Sequence, residues 1–370
     1  MKTLALFLSF VLLLNTASSQ ESKPPVHLAI FGLVHDHAYG FLPLTRNRPE
    51  VQLVGIIEPD PAVAARFAKQ FDLATNLFYD SLEALLAKTN VDAVAAFTST
   101  YDHPKVVELC APRHINVMME KPLAVNMQAA RAIQSAAKAG GIEIIVNYET
   151  TWYRANQTAY ELVDQEHAIG DLRKIVVHDG HRGPKEIGCS QTFLSWLTDP
   201  KLNGGGALPD FGCYGADLMT WLMGGQRPTS VFAVTQQIKP DIYPKVEDEA
   251  TVIVTYPKTQ GIIQASWNWP FDRKDMEIYG KTGYVLAPRK DLLRIRKAGA
   301  PESELELSAP PQSRPNDQLT YLVSVVRGEF KPSGLSGLDV NLVVTEILDA
   351  ARESANTGKR IDLPLGEPAQ

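Results

Sequence analysis

The first 150 residues alternate short apolar runs with amphipathic stretches. Val26 to Val34 (VHLAIFGLV) is an apolar run that reaches a glycine near its end, Ala38 to Arg46 reads as a helix, and Val51 to Glu58 (VQLVGIIE) is a second apolar run. The following PDPAVAARFAKQF places prolines where a helix starts and apolar residues at helical spacing. Leu77 to Asp80, Val91 to Thr98, Ile115 to Glu120 and Ile142 to Tyr148 read as further strands, with SLEALLAK, HPKVVELCA and MQAARAIQSAAKAG as helices between them. Near-continuous apolar strands separated by amphipathic helices predict a doubly wound parallel sheet covered on both faces.

After Tyr148 the pattern changes. YRANQTAYELVDQEH predicts a helix, and KIVVHDGH, TSVFAVTQQI, DEATVIVTYP, GIIQASWNWP and KDMEIYG read as strands, several of them alternating. That alternation predicts an open, largely antiparallel sheet with one face packed on helices. If Trp267 and Trp269 lie on the exposed face, they point to a homo-oligomer formed through it; otherwise they are core or substrate-facing residues. The expected fold is therefore α/β, with residues 26–147 forming a nucleotide-binding domain and residues 148–364 a substrate-binding domain.

The N-terminus carries a different pattern. Lys2 precedes the apolar stretch Leu4 to Leu14, and small residues follow at Ala17 and Ser19, which reads as a secretory signal cleaved after Ser19. The apolar stretch falls short of the roughly 20 residues a spanning helix needs, so no stable membrane insertion is expected once the signal is removed. The mature chain is expected to be exported, to a periplasmic or extracellular location. No twin arginine is present, so nothing suggests export in the folded state.

A formal net charge of -6 and the lack of a long basic run give no reason to expect a polyanion partner, so no nucleic acid is expected. Cys110, Cys189 and Cys213 are too few and too spread for a disulfide framework or a metal site, and small buried residues are the favoured reading. The composition, 45% hydrophobic and 21% charged, is that of a globular chain with a large core.

Candidate chemistry gathers at the expected strand ends, where parallel sheets bind their ligands. Glu120 and Lys121 follow the strand Ile115 to Met119, either at the edge of a nucleotide crevice or as a solvated loop pair. Gly32 ends the first strand, where a glycine can make the tight turn that brings backbone N–H groups toward a pyrophosphate. Glu58 ends the second, and a carboxylate there can accept hydrogen bonds from an adenosine ribose diol and repel a 2'-phosphate, favouring NAD over NADP. The glycine fingerprint is incomplete: in GLVHDHAYG, Val34 and His37 occupy the second and third glycine positions, and the Val34 side chain should crowd the pyrophosphate. His35 and His37 form a possible metal pair without a nearby third ligand, so no metal is expected. In NGGGALPDFGCYGADLMTWLMG (Asn203 to Gly224), Asp210, Tyr214 and Asp217 share one side of a helix, and a carboxylate one turn from a phenol is a plausible proton-transfer pair.

These motifs resemble the Gfo/Idh/MocA family, the oxidoreductases related to glucose-fructose oxidoreductase and inositol dehydrogenase, over roughly residues 26 to 364. Glu120-Lys121-Pro122 matches its EKP signature, GGGALPDFGCYGAD its GGG and D-x-G-x-H/Y-x-x-D signatures, and TSTYDHP its THP-like segment. The resemblance implies a Rossmann domain followed by an open-faced α/β domain. It implies NAD at Gly32, Leu33, Val34, His35, His37, Glu58, Thr98, Ser99, His103, Glu120 and Lys121. It implies that Lys121 bridges cofactor and substrate, that Asp210 positions the sugar and that Tyr214 is the acid/base, a phenol whose ordinary pKa near 10 would need lowering by Lys121. A small-molecule carbohydrate is the expected substrate. At the junction of the two domains, Tyr148, Glu149 and Trp152 either stack on and hydrogen-bond it or are packing residues, and His181 and Lys185 either face it from a loop or are solvated.

Three functions fit: an exported sugar or polyol oxidoreductase, a redox-neutral glycosidase using the same cofactor, and a non-catalytic sugar-binding relative. Val34 argues for the last, and the intact Lys121, Asp210 and Tyr214 argue against it.

Overall fold

The computed structural model describes residues 23–308 and 315–365. The expected export signal at residues 1–19 and most of the proline-rich stretch after Leu307 lie outside these residues. No helix among the described residues is long and apolar enough to cross a membrane.

The first unit is built from β1 (Val26–Phe31), α1 (Ala38–Leu44), β2 (Val51–Ile57), α2 (Pro61–Gln70), β3 (Phe78–Tyr79), α3 (Leu82–Leu86), β4 (Ala93–Ala96), α4 (His103–Cys110), β5 (Asn116–Glu120), α5 (Met127–Gly140) and β6 (Ile144–Asn147). Its six strands are parallel in the order β3-β2-β1-β4-β5-β6. This is the doubly wound Rossmann order, with the switch point between β1 and β4 where a dinucleotide lies. The strands form because their residues are apolar on both faces: Leu28, Ala29, Ile30, Val94 and Ala95 are all fully buried. Asp60 caps α2 and Asn126 caps α5 through side-chain bonds to backbone amides, as the helix starts in the sequence predict.

The second unit runs through α6 (Arg154–Tyr160), β7 (Leu172–Gly180), α7 (Gln191–Leu197), α8 (Pro200–Asn203), α9 (Ala207–Leu222), β8 (Ser230–Gln236), β9 (Glu249–Thr255), β10 (Gln260–Ser266) and β11 (Arg273–Gly280). It continues with β12 (Gly283–Arg289), β13 (Leu292–Lys297), β14 (Ser303–Glu306), α10 (Gln318–Val326), α11 (Leu338–Thr357) and β15 (Ile361–Asp362). The sheet order is β14-β13-β12-β11-β7-β10-β9-β8-β15, antiparallel except for β7 against β10. Strands β12 to β14 and helix α11 extend this unit beyond the elements anticipated from the sequence. Their signal is weak because the strands alternate apolar residues with Arg, Lys and Glu on a solvated edge, as in LLRIRK.

Helices α9 and α11 cover the inner face of this sheet. Helix α9 lies so close that a Cβ at Gly215 would come within 2.6 Å of Ile263 Cγ2, which glycine alone permits. Trp267 is fully buried on this side, so of the three places open to it the exposed face is ruled out; Trp269 is half-buried. Helix α10 crosses back to the first sheet, where Leu319, Leu322 and Val323 join the cluster of Val26, Leu28 and Ile30.

Candidate active site

The turn after β1 is shaped by a glycine. Gly32 has φ +79°, and a Cβ there would stand 2.8 Å from Thr98 Cγ2, so a side chain is excluded by conformation and by contact. Its neighbour Leu33 donates its amide to Glu58 Oε2 at 2.9 Å, and Glu58 Oε1 accepts from the Asp60 amide at 2.9 Å. Glu58 thus ties the end of β2 to the turn; burial raises its carboxyl while these amide bonds oppose the rise. At the end of β4, Thr98 Oγ1 donates to the Ser99 carbonyl and Ser99 Oγ to Asp102 Oδ2 at 2.6 Å. His103 is buried with Nδ1 3.1 Å from the Leu123 carbonyl oxygen, so it braces the loop after β5.

Helix α7 docks across the rest of the turn. Trp196 Nε1 donates to the Val34 carbonyl, and Asp36 accepts from both the amide and the hydroxyl of Ser190. The His35 ring is enclosed, with Phe193 at 4.7 Å and Trp196 at 5.4 Å between centroids. Burial holds its pKa well below the ordinary value, with His37, Lys121 and His103 adding to the effect. His37 Nδ1 meets Glu120 Oε2 at 2.9 Å, and Glu120 Oε1 accepts from Asn147 Nδ2 at 3.0 Å. The structure therefore supplies the third group that the His35 and His37 pair lacked in the sequence, with candidate ligand atoms of all three within 4.8 Å of one another. The His37 amide donates to His35 Nδ1 at 3.1 Å, however, which leaves the ring proton on Nε2. As arranged, the trio is a hydrogen-bond network and not a preformed metal set.

Lys121 leaves the end of β5 and reaches the first turn of α9. Its Nζ donates to Asp210 Oδ1 at 2.6 Å and to the Asp210 carbonyl at 3.0 Å, and both side chains are more than nine-tenths buried. Trp267 Nε1 donates to the other carboxylate oxygen at 2.9 Å. Burial would raise the Asp210 carboxyl, but Lys121, with His181 and Trp267, holds it below the usual carboxylate range. Burial would lower the Lys121 ammonium, and Asp210 outweighs it, so Lys121 stays protonated.

Tyr214 stands one turn further along α9. Lys121 Nζ is 5.0 Å and Lys274 Nζ 4.5 Å from its ring centroid. The expectation that Lys121 lowers this phenol is not met. Burial first, then the nearby acidic groups Asp179, Cys213, Glu149 and Asp210, pushes Tyr214 well above its ordinary value, while the Lys121 ammonium is engaged by Asp210. A turn later again, Asp217 is fully buried with neither carboxyl oxygen bonded, and burial alone drives its pKa well up.

The expected sugar contacts divide. Glu149 is exposed and accepts from Lys274 Nζ at 2.6 Å and from the Tyr153 hydroxyl at 2.7 Å, which links it to the charged cluster. His181 is half-buried with its ring edge on Phe211 at 4.8 Å, and its Nδ1 accepts from the Gly183 amide. Burial sets its pKa below the ordinary value despite the nearby Asp210, so it is neutral near pH 7. Tyr148 corrects the expectation: it is fully buried and donates to Asn341 Oδ1 at 2.9 Å, so it packs behind Tyr214 and cannot stack on a ligand. Trp152 points elsewhere, its Nε1 bonded to Asn147 Oδ1 at 3.3 Å and its ring against Tyr321. Lys185 is exposed, and its backbone is held at both ends, the amide donating to the Tyr243 hydroxyl and the carbonyl accepting from the Gly188 amide.

Two members of the cluster were not singled out from the sequence. Asp179 on β7 and Lys274 on β11 are register partners across the sheet. Asp179 is buried with Oδ1 unbonded, and burial raises its carboxyl well above the usual range, Lys274 and Lys121 opposing. The available signal was the alternation in KIVVHDGH and KDMEIYG, which puts an acid and a base on the inner face where apolar residues belong.

A parallel sheet of Rossmann order, with a lysine from its strand edge paired to a carboxylate of a second unit, defines a dinucleotide-dependent oxidoreductase class. Residues 26–148 match the oxidoreductase family with an NAD-binding Rossmann fold, and residues 156–286 match the GFO/IDH/MocA C-terminal domain. The chain belongs to the Gfo/Idh/MocA family and carries its NAD-binding domain. It is 28% identical over 220 residues to a trans-1,2-dihydrobenzene-1,2-diol dehydrogenase of Sus scrofa; the match spans 60% of each chain. Its fold is similar to that of an aldose-aldose oxidoreductase from Caulobacter crescentus complexed with glycerol, with TM-score 0.75 and 22% identity, covering 92% of this chain and 100% of that one. An inositol dehydrogenase homolog complexed with NAD+ from Azotobacter vinelandii gives TM-score 0.78 and 17% identity, covering 92% and 98%.

Proposed function

We propose that the protein transfers hydride between a hydroxyl-bearing carbon of a small sugar, polyol or cyclic diol and NAD. The observation that carries this reading is the buried Lys121–Asp210 pair, which joins the cofactor edge of the first sheet to the first turn of α9. The Gly32 turn, which a Cβ would fill, fits a close-lying pyrophosphate, and the Glu58 carboxylate beside it favours an unphosphorylated ribose. Bound there, the dinucleotide supplies the hydride chemistry.

The chain's own residues supply the rest. Lys121, more than nine-tenths buried, offers an ammonium to the reacting oxygen and stabilises its alkoxide character. Asp210, fixed by Lys121 and Trp267, accepts from a neighbouring substrate hydroxyl. Tyr214 is held protonated, so it acts as the proton donor when a carbonyl is reduced. In the oxidative direction the phenol must first lose its proton, so oxidation gains rate as pH rises through the alkaline range. The diol dehydrogenase, aldose-aldose oxidoreductase and inositol dehydrogenase relatives support hydroxyl-rich small substrates. Export, expected from residues 1–19, belongs to the same proposal and is checked by the N-terminal sequence of secreted protein.

The test is NADH formation by the purified chain across a panel of sugars, polyols, cyclic diols and aryl glycosides. NADH with a polyol or diol, lost in Lys121→Met, supports the reading. Aglycone release without net NADH redirects it to redox-neutral glycoside cleavage. Activity that survives Lys121→Met unchanged overturns both.

A further inference from the structure

Lys274 stands on β11 opposite Asp179 of β7, on the inner face of the second sheet where apolar residues belong. An ammonium there is costly unless its charge is answered or used. Its Nζ lies 4.5 Å from the ring centroid of Tyr214 and 5.8 Å from that of Phe211. Lys121 Nζ lies 5.0 Å and 5.9 Å from the same two rings. Two ammonium groups, one from each sheet, thus meet the phenol assigned the proton step.

The two cations differ in how their charge is answered. Lys121 donates to both the carboxylate and the carbonyl of Asp210, and each side chain of that pair is more than nine-tenths buried. Lys274 donates to Glu149 Oε2 at 2.6 Å, but the Glu149 side chain is 54% exposed against 21% for Lys274. Water screens an exposed carboxylate, so Glu149 cancels less of its partner's field at Tyr214 than Asp210 does of Lys121's. The other titratable groups facing Tyr214 are Asp179 from β7, Tyr148 from the junction after β6, and Asp210 and Cys213 on α9 itself, and none of them brings a positive charge. Lys274 is the nearer and the less neutralised of the two cations on this ring.

A neutral ring draws a cation weakly through its quadrupole, whereas an ionised ring adds a full negative charge. The pull of Lys274 therefore grows when the phenol loses its proton, and an interaction that strengthens along the reaction is the kind that raises its rate. We propose that Lys274 is a positioning residue for the proton step: its ammonium holds the Tyr214 phenolate that forms for oxidation, and Glu149 tempers that ammonium. The phenolate then accepts the substrate's hydroxyl proton, so that the substrate O–H breaks as the phenol O–H forms. The Tyr153 hydroxyl, donating to Glu149 Oε1 at 2.7 Å, keeps the tempering carboxylate beside Lys274. This inference rests on Tyr214 being the acid/base of the proposed reaction.

The test places a trifluorinated tyrosine, a more acidic phenol of the same shape, at position 214 of the whole chain and follows its titration by fluorine NMR. Lys274→Met should raise the titration midpoint by at least about one pH unit, and Lys274→Arg should return most of that shift. Glu149→Gln, at an exposed side chain, should lower the midpoint and serves as the second variant should Lys274→Met fold poorly. In steady-state kinetics the alkaline limb of oxidation should move in the same direction in each variant. A midpoint unmoved by Lys274→Met, a rise that Lys274→Arg does not reverse, or no fall in Glu149→Gln would overturn the proposal. The NMR titration needs no turnover: the expected shifts without NADH formation would fail the hydride-transfer reading alone, and NADH formation with an unmoved midpoint would fail this inference alone.

Discussion

Helix α9 carries two buried aspartates seven residues apart that have opposite fates. Asp210, in the first turn, meets Lys121, Trp267 and the positive end of the helix, and it stays anionic. Asp217, two turns on, meets no hydrogen-bond donor among the described residues, and burial pushes its carboxyl well above the usual range. Residue type and burial are the same, so partners decide which carboxyl carries charge. The first turn is built to hold a reactive ion pair, whereas the third turn stores an unbonded polar group at a cost to stability.

Removing the cation from the first turn is the strongest way to break this contrast. Lys121→Met should lower turnover by more than about 10³-fold, since it deletes both the oxyanion donor and the partner of Asp210. It should also destabilise the fold by about 3–5 kcal/mol, because Asp210 is left as an unpaired buried charge. Rates should therefore be measured on material whose near-UV circular dichroism is native.

Tyr214→Phe removes the proton donor and leaves the ion pair in place. Turnover should fall by about 10²-fold with the melting temperature retained, as steady-state kinetics and calorimetry would report. In the wild type, oxidation should accelerate as pH rises into the alkaline range, following the raised phenol, and Tyr214→Phe should flatten that limb. Gly32→Ala should weaken NAD binding about tenfold, because a side chain there is strained at φ +79° and meets Thr98; isothermal titration gives the value.

Asp217→Asn sharpens the other half of the comparison and has the smallest effect. The folded Asp217 keeps its proton at pH values where the unfolded chain loses it, above about pH 4. The wild type is therefore relatively most stable in acid and loses this contribution as pH rises. The variant does not titrate, so its melting temperature should gain on the wild type by a few °C between pH 4 and 8, with no gain below pH 4. Asp210 has the reverse sign. Its stabilisation is present above the ordinary carboxylate range and is lost as pH falls through its depressed pKa.

The parallel sheet was legible because its strands are apolar on both faces and their helices are amphipathic, so one pattern fixes element type and order. Lys121, Asp210 and Tyr214 were legible through motif spacing, and the structure brings all three together. Tyr148 misled because it sits beside the crevice in sequence while its hydroxyl turns back to Asn341 on α11, a helix almost 200 residues away that the pattern did not mark. Asp179 and Lys274 were hidden for a related reason. Their meeting depends on strand register in the second sheet, and no local spacing encodes a cross-strand pair separated by many loops. The state of Tyr214 required knowing that Lys121 already has a partner, which is a fact of packing.

The most direct test of the account is the fate of a labelled hydrogen. The chain would be incubated with NAD+ and carbon-deuterated glycerol, inositol or a cyclic diol, and the reduced cofactor analysed by mass spectrometry for wild type and Lys121→Met. The account predicts deuterium on the nicotinamide of the wild-type product and none with the variant. Unlabelled cofactor throughout, from a protein that demonstrably binds NAD, would contradict hydride transfer at the Lys121–Asp210 junction.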